Sequence, residues 1–421
     1  MRKLFIIASL IAFCSFGFSC NKSTADSFIE PDTTPDNPLA DNPKKEIGLT
    51  TKQLQLVLKG NTLAYGFLKE VCLLEKKDFM ISPLGLQFAL GMVMNGAPES
   101  VFSNACEVLN LGSITNSELN EYHQLMAKYL PTMDTYTKVE IANAAIVNNK
   151  YELSNTYKTN ISKYYDALIE SVDFSMINDV QTRINNWCYA HTHGLIPSIR
   201  LNQLSKDDVA VLLDALYFKG SWTKKFDKSK TSKEPFTLAK GTTQKLDMMK
   251  ITSSFSVFHG DNFTGIILPF GNTTYRMNLI LPNKGIDLNK VMEKNIFSAN
   301  YIYDVYEVDL WLPKFKTSFS IDLNPVLSSI GLSCLLSGDF SKIADELIKA
   351  ELKYQQDTFI ETSEEGSSAS AVTSVTLKYT STGDASTNKK ATIHFDRPFI
   401  YYISEDSTGA ILFAGRYGAN S

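Results

Sequence analysis

A run of ten residues, 209–218, constrains the fold of this chain more than any other feature. Only Asp214 interrupts its apolar character, so the run predicts a central β-strand that is buried on both faces. Such a strand requires a large core around it. The chain has 421 residues, of which 44% are hydrophobic and 11% aromatic, and this is enough to form such a core and to exclude a largely disordered protein.

The charge and cysteine counts exclude two further classes of protein. The 41 Lys and Arg face 45 Asp and Glu, a net charge of -4, so no basic excess neutralises phosphates and we expect no nucleic-acid partner. Six cysteines are too few for a disulfide scaffold. We expect buried free thiols, because no CxxC pair or His spacing typical of a metal site accompanies Cys72, Cys106, Cys188 and Cys334.

Helical signals dominate the first part of the chain and strand signals the second. Ser82 and Pro83 predict the start of a helix whose apolar run ends at Asn95 and Gly96, and residues 154–169 have helical spacing. The strands predicted after 209–218 are two runs within 263–281 around Gly271 and Asn272, residues 305–312, and two runs within 399–413 around residues 407–409. This order predicts an α+β domain with a mostly antiparallel strand set.

Residues 1–19 predict an export signal. Arg2 and Lys3 precede the apolar run 4–13, which is too short to span a bilayer. The run leads to Gly-Phe-Ser-Cys at 17–20, which resembles the cleavage box of bacterial lipoproteins, in which the cysteine, here Cys20, becomes the lipidated first residue. A plain signal peptide followed by an incidental cysteine is the alternative. Lipidation predicts a protein of the cell envelope, anchored to a bacterial membrane on its periplasmic or outer side, and the alternative predicts an extracellular protein.

Residues 20–48 predict an extended linker after this signal. Four prolines alternate there with Asp, Asn, Ser and Thr, and such a stretch cannot bury enough apolar surface to offset its ordering entropy. A linker of this kind would let a globular domain stand away from a membrane. No second linker or repeat follows, so residues 49–421 predict a single domain.

Five blocks carry a resemblance to a known family. They are residues 79–84 (FMISPL), 184–187 (INNW) with 192–196, 216–222 (LYFKGSW), 312–315 (LPKF), and 395–399 (FDRPF) with 413–416 (FAGR). In this order they resemble the serpins, the serine protease inhibitors and their non-inhibitory relatives. The resemblance implies a serpin fold, in which helices pack on a large, mostly antiparallel main sheet with further smaller sheets and an exposed reactive-centre loop.

Residues 364–391 resemble that reactive-centre loop. Its first part resembles the hinge of inhibitory serpins, with acidic residues, a glycine and then small residues: Glu364, Glu365, Gly366, Ser367, Ser368, Ala369, Ser370 and Ala371. In the serpin mechanism the target protease cuts the loop, which then inserts as a new strand in the middle of the main sheet. A dozen or more inserted residues, at about 3.3 Å each, would carry an attached protease on the order of 50 Å.

The composition of the loop satisfies the physical demands of insertion. Residues 366–377 contain neither proline, which would remove a ladder N–H, nor charge, which would be buried. One face of the extended chain would carry small residues near the hinge and more apolar ones farther on. That alternate set is Ser367, Ala369, Ala371, Thr373, Val375 and Leu377.

The spacing that serpins have between the hinge glycine and the cut site, counted from Gly366, implies a reactive bond at or beside Thr380 and Ser381. Thr380 suits an elastase-like or subtilisin-like target. Lys378 would suit a trypsin-like pocket and Tyr379 a chymotrypsin-like one, so a cut after either residue and a broad target range stay open. The partners expected from the resemblance are serine proteases, with some cysteine proteases, and the protein is expected to be a monomer without a cofactor.

The resemblance also implies a region where the main sheet opens. The residues assigned to it are Ser82, Asp214, Trp222 and Gln356. The family has an Asn and a His, hydrogen-bonded to each other, where this chain has Asp214 and Gln356. An Asp–Gln pair can share a hydrogen bond, but a buried carboxylate carries a desolvation cost. Either this latch is retuned or Asp214 is held protonated.

Enzymatic readings find no support in the sequence. No G-x-S-x-G elbow, HExxH, P-loop or GxGxxG after a strand is present, so we assign no catalytic residue. His191 and His193 are two apart at a helix end and are predicted to be solvated rather than metal ligands. The alternative function is a non-inhibitory serpin that acts as a surface-tethered binding module.

Overall fold

The structure, a computed structural model, describes residues 42–199, 204–297, 301–367 and 389–419. Its helices are α1 Thr51–Leu74, α2 Pro83–Met94, α3 Glu99–Val108, α4 Asn116–Tyr129, α5 Asn155–Tyr165, α6 Ile177–His191, α7 Leu288–Val291 and α8 Asn324–Ser329. Its strands are β1 Phe79–Ile81, β2 Thr137–Asn148, β3 Leu168–Val172, β4 Ala210–Ser221, β5 Ser232–Thr237, β6 Thr243–Gly260, β7 Phe263–Phe270, β8 Tyr275–Pro282, β9 Asp304–Pro313, β10 Lys316–Asp322, β11 Ser337–Gly338, β12 Ala350–Glu351, β13 Gln355–Ser363, β14 Gly366–Ser367, β15 Lys390–His394, β16 Phe399–Glu405 and β17 Ile411–Tyr417.

The apolar run 209–218 forms most of β4, inside a six-stranded sheet with the order β10-β13-β14-β4-β2-β3. Val211, Leu213 and Ala215 pack in a core with α6, while Phe218 belongs to the main core on the opposite face. Because successive side chains of a strand point to opposite faces, both faces of β4 are covered. The predicted strand is therefore present, with one face buried and the other only partly buried from residue 210 to residue 216.

A nine-stranded sheet contains most of the later strands, in the order β1-β17-β16-β8-β7-β6-β9-β15 with β5 on β6. The hairpins predicted around residues 271–272 and 407–409 are β7–β8 and β16–β17. Strand pairs among the described residues are antiparallel apart from β2–β3 and β9–β15. The α+β class with mostly antiparallel sheets is therefore confirmed.

The two predicted helices differ in how well their ends were placed. Ser82 caps α2, since its side chain accepts a hydrogen bond from Gly85 N and Pro83 occupies the first turn, as predicted. The second helix ends at Tyr165 and does not continue to residue 169. Asp166 adopts a left-handed conformation with φ of 49°, which ends a helix, and Leu168–Val172 then forms β3 beside β2.

Residues 42–48 pack against the domain, although the sequence placed them in the linker. Asn42 and Ile47 are buried, the backbone N–H of Ile47 donates to Ser407 Oγ at 3.1 Å, and Lys45 Nζ donates to Thr132 O at 2.6 Å. The polar composition of this segment predicted that it is exposed. The hydrogen bonds named above satisfy those of its polar groups that contact the domain. Asn42 and Ile47 at the end of the predicted linker therefore contact the domain, whereas the other residues of 42–48 are exposed.

The cysteines that the structure describes are free thiols. Cys72, Cys106 and Cys188 are buried, as predicted, whereas Cys334 is only partly buried. Burial raises the pKa of the Cys72 thiol to about 11, so it is held in its neutral form at neutral pH. None of the helices in the described ranges is long and apolar enough to cross a membrane.

Asp134 joins the N-terminal segment to the two sheets through its hydrogen bonds. Its carboxylate accepts hydrogen bonds from Asn42 Nδ2 at 2.6 Å, Tyr136 N at 3.0 Å and Thr137 Oγ1 at 2.6 Å. Gly271 packs so closely on it that a Cβ would lie 1.8 Å from Asp134 Oδ2. Only glycine therefore fits at this turn between β7 and β8.

We expect Asp134→Ala to lower the free energy of unfolding by about 3 kcal/mol, because the three donors named above and Asn272 N, 3.4 Å away, lose their acceptor. The measurement is urea unfolding followed by tryptophan fluorescence. Asp207→Ala is the control, since 75% of the Asp207 side chain is exposed, and it should change the stability by less than about 0.5 kcal/mol. Equal losses of unfolding free energy in the two variants would contradict this role of Asp134.

Candidate functional site

The described part of the predicted hinge, residues 364–367, enters the six-stranded sheet between two parallel strands. Gly366 and Ser367 form β14, which pairs antiparallel with β13 (Ser363 opposite Gly366) and antiparallel with β4 (Ser221 opposite Gly366). Within the described residues, β13 and β4 share no ladder of their own and are joined only through β14. β14 therefore occupies one end of a gap between β13 and β4 that is one strand wide.

Gly366 is required at this position by its backbone. Its φ is +155°, and a Cβ there would lie 2.0 Å from the carbonyl oxygen of Gly220 in the neighbouring strand. Backbone atoms cannot move away as a flexible side chain can, so only glycine permits the approach of β14 to β4. The adjacent Ser367 is buried, with 2% of its surface exposed.

Two acidic residues anchor the turn that precedes β14. Thr231 Oγ1 donates to Glu364 Oε1 at 2.8 Å, and Lys314 Nζ lies 3.0 Å from Glu364 Oε2. Burial would raise the pKa of Glu364, but hydrogen bonds from its own N–H, Lys314 and Thr231 together lower that pKa. Glu365 lies 3.0 Å from Lys225 and 3.2 Å from Lys228. The sequence analysis did not identify these four partners, although the lysines 225 and 228 directly follow the LYFKGSW block.

Trp222 fastens the same turn to the end of β4. Its indole Nε1 donates to Ser363 O at 2.8 Å, and its backbone N–H donates to Glu365 O at 2.9 Å. The ring stacks on Phe270 with centroids 4.4 Å apart, and only 3% of the residue is exposed. The indole of Trp222 thus connects the turn before β14 to the end of β4.

Ser82 and Gln356 join β13 to the N-terminus of α2. Ser82 N donates to Gln356 Oε1 at 2.7 Å, and Gln356 Nε2 donates to Ser82 O at 2.9 Å. Ser82 Oγ donates in turn to Leu412 O at 3.0 Å. The pairing of Gln356 with Asp214, which the sequence allowed, does not occur in the described structure, because the amide is already satisfied by the backbone of Ser82.

Asp214 lies beside this junction with its carboxyl group buried. A Cβ on Gly85 would lie 2.0 Å from Asp214 Oδ1 and 3.0 Å from Ser82 Oγ, so these groups share one pocket at the start of α2. Asp214 Oδ2 has no hydrogen-bond partner among the described residues. Burial raises the pKa of Asp214 to about 7.

Asn143 is the cross-strand neighbour of Asp214, and it too has an unpartnered acceptor. The two residues are opposite each other in the β2–β4 ladder, where Cβ atoms are about 5 Å apart. Asn143 Nδ2 donates to Tyr165 O at 2.9 Å, whereas Asn143 Oδ1 is buried without a partner. A proton on Asp214 would convert two facing acceptors into a donor and an acceptor.

The residues assigned to sheet opening therefore fall into two groups. Ser82, Asp214 and Gln356 meet at mid-sheet, and Trp222 lies eight residues farther along the chain from Asp214, about 26 Å away along an extended strand. Other predicted positions lie outside the described residues: Cys20, Ser368, Ala369, Ser370, Ala371, Lys378, Tyr379, Thr380 and Ser381. Across the described ranges, no group of three or more His, Cys, Asp or Glu side chains could hold a metal ion.

Comparisons with known proteins agree with this architecture. A family model described as "Serpin (serine protease inhibitor)" matches residues 59–419. Human Serpin B3 is 28% identical over 374 residues, covering 82% of this chain and 94% of the relative. The native-state crystal structure of tengpin, a thermophilic serpin, is 26% identical, covers 91% of this chain and 99% of tengpin, and has a TM-score of 0.74.

The chain belongs to the serpin family. Its fold is the serpin fold, as the sequence blocks predicted, and serpins are generally inhibitors of proteases rather than enzymes. Some members are not inhibitors. The complex of thyroxine-binding globulin with thyroxine shares the fold with a TM-score of 0.74, at 23% identity and with 87% of this chain and 100% of that chain covered.

We expect Asp214→Asn to remove part of the pH dependence of stability. The pKa of Asp214 is raised by burial to about 7, against about 3.9 in the unfolded chain. The folded protein therefore holds a proton that the unfolded chain releases, and its stability falls as the pH rises from about 4 to above 7. The total loss is about 4 kcal/mol.

The measurement is the difference in unfolding free energy between Asp214→Asn and the wild type from pH 5 to 9, which we expect to grow with pH. Asp78→Asn is the matched control, because burial raises the pKa of Asp78 only to about 6 and its effect should be complete by about pH 7. A difference for Asp214→Asn that does not change with pH would contradict the assignment.

Proposed function

We propose that this protein inhibits serine-type endopeptidases by covalent trapping, in which its cut reactive-centre loop inserts into the six-stranded sheet. The observation that carries the proposal is the position of β14 between the parallel strands β13 and β4. A chain that continues as a strand beyond Ser367 would be antiparallel to both neighbours. It would supply ladder partners to both facing edges.

The register of β14 supports this continuation. Ser367 is opposite Gly220 on β4 and opposite Thr362 on β13. Six residues farther, the same register would set Thr373 opposite both Asp214 and Gln356. Ser367 is buried, and Thr373 would share its face because the strand period is two. The Thr373 hydroxyl could then donate to Asp214 Oδ2, which has no partner in the described structure.

The covalent step uses chemistry that the protease supplies. The protease serine Oγ attacks the carbonyl carbon of Thr380, the peptide bond to Ser381 breaks, and the Ser381 nitrogen leaves with the proton that the protease base took from the serine. The product is an ester between the protease and Thr380. Insertion of the cut loop then carries the attached protease away from the site where it attacked, before water hydrolyses that ester.

The target range follows from the three residues around the proposed bond. Thr380 suits elastase-like and subtilisin-like enzymes, Tyr379 a chymotrypsin-like enzyme and Lys378 a trypsin-like one. We therefore propose a broad-range inhibitor of serine proteases that also acts on some cysteine proteases, where the trapped group is a thioester. It acts as a monomer and needs no cofactor.

We place the protein outside the cytoplasm, tethered to a bacterial membrane through lipidated Cys20. Residues 1–19 have the pattern of an export signal, and the Pro-rich stretch after Cys20 has the composition of a linker. Mass spectrometry of the mature N-terminus tests this placement. A diacylglyceryl group on Cys20 supports it, and an unmodified mature chain that retains residue 19 would contradict it.

The second candidate is a non-inhibitory serpin that serves as a tethered binding module. Its support is limited to the fold shared with thyroxine-binding globulin, at 23% identity. The composition of residues 366–377 favours the inhibitor, because a loop that never inserts has no need to avoid proline and charge.

Incubation with trypsin-, chymotrypsin-, elastase- and subtilisin-like enzymes separates the two candidates. We expect an SDS-stable complex with at least one of them. We also expect loop cleavage to raise the melting temperature by about 10 °C or more, since a new central strand adds several kcal/mol. Cleavage that yields neither a complex nor a higher melting temperature would support the binding module.

Two arginine variants test the inserting face. In the same register Ala369→Arg would place a charge between Phe218 and Ile360, which are both buried, and Ser368→Arg would place the same charge opposite Glu361, whose side chain is 39% exposed. We expect Ala369→Arg to be cleaved without forming a complex, because burial of an unpaired charge costs several kcal/mol. Ser368→Arg should still trap the protease. Equal trapping by both variants, in a densitometric assay of complex against cleaved chain, would contradict the proposed register.

A further inference from the structure

The segment that leads into β9 and the first residues of that strand expose three apolar side chains that are near one another in the sequence. Ile302 has 84% of its surface exposed, and Tyr303 and Val305 each have 48%. We call these three residues the β9 patch. Apolar surface in water is unfavourable, and adjacent apolar side chains at an exposed position are a feature of interaction sites.

The β9 patch lies where the reactive-centre loop rejoins the fold. β15, the first strand after the loop, pairs in parallel with β9. Glu307 N donates to Lys389 O at 3.0 Å, and Lys389 Nζ lies 2.9 Å from Asp304 Oδ2. Because the two strands run in the same direction, the chain that precedes Lys389 leaves the sheet at the edge where β9 begins.

The patch is pre-ordered and has a charged rim. The Tyr303 ring lies 5.3 Å from the ring of Phe258, which is fully buried. Val305 is opposite Ser256 in the β6–β9 ladder, so a small neighbour leaves it accessible. The ion pair of Lys389 with Asp304 adjoins it. A rigid apolar centre with a polar rim is the anatomy of a protein interface, and it loses little entropy on binding.

The length of the loop indicates which protein covers the patch. Eight residues separate Ser381 from Lys389, a reach of at most about 28 Å. A protease domain of about 230 residues has a radius of gyration of about 17 Å and a diameter of about 45 Å. An attached body of that diameter is therefore held close to the surface around the point where the loop rejoins the fold.

We propose that Ile302, Tyr303 and Val305 form a secondary docking site for the protease that attacks the reactive-centre loop. The proposal rests on the proposed function, since it assigns a role to the surface beside the reactive bond. The partner is a protease with an apolar side chain exposed near its active-site cleft. Contact with the patch accelerates loop attack and selects among enzymes that accept the same bond.

The test is the second-order rate constant for consumption of the intact loop, with trapped and cleaved products summed. The full-length wild type is compared with a triple variant that carries Ile302→Ser, Tyr303→Ser and Val305→Ser together. Each protein is incubated with the four classes of protease named above. We expect at least one enzyme to consume the triple variant about 10-fold or more slowly, as for the loss of interface hot spots.

Ile348→Ser is the matched control. Ile348 has 62% of its surface exposed, and it lies before the end of β13 that is opposite the hinge. This variant should keep the wild-type rate constant with every enzyme. A peptide of residues 372–388 should be cleaved by the affected enzyme more slowly than the wild-type loop, because it lacks the patch. Melting temperatures of all variants report whether they are folded.

The outcome is independent of whether the protein traps proteases. The ratio of complex to cleaved chain reports loop insertion and therefore the proposed function, whereas the summed rate constant reports docking. The docking site would be overturned, even if trapping is observed, by a folded triple variant whose rate constants are within twofold of the wild type for all four enzymes. A loss confined to the triple variant would uphold it even if every loop is merely cleaved.

Discussion

The two parallel strands β13 and β4 are held one strand apart by β14, and the rest of the structure depends on this separation. Backbone N–H and C=O groups in a buried sheet need partners, so a third strand between these edges gains hydrogen bonds on both sides. The anchored turn at Glu364 and Glu365 determines the end from which such a strand enters. In the proposed insertion, the direction and the register of the new strand would thus be determined before the loop is cut.

The middle of the same sheet contains polar groups where most cores would contain aliphatic ones. Gln356 is satisfied by Ser82, but Asp214 and Asn143 each keep a buried acceptor without a partner among the described residues. Such groups destabilise the arrangement that buries them. They would lower the barrier to a rearrangement that supplies a donor, and the Thr373 hydroxyl is such a donor.

Much of the fold could be predicted because strong local signals agreed with the tertiary structure. The apolar run of β4, the Ser82 cap and the turn at Gly271 each carry their own physical reason. The end of α5 at Asp166 was not predictable from periodicity, because pairing of β3 with β2 overrides it. Nor was the neighbour of Asp214, since Asn143 is 71 positions away and only the β2–β4 register brings them together. The seating of Asn42 depends likewise on Asp134, far along the chain.

That seating has a geometric consequence for a protein tethered at Cys20. Asn42 binds Asp134, which packs on Gly271, and Gly271 N donates to Ser221 O beside the hinge. The proposed tether would therefore join the domain near the start of the predicted reactive-centre loop, so a short tether would hold that end against the lipid headgroups. The 22 peptide units from Cys20 to Asn42 can extend about 75 Å, which leaves clearance for a particle about 45 Å across. The proposed tether would thus be long enough for a protease to reach the loop between the domain and the membrane.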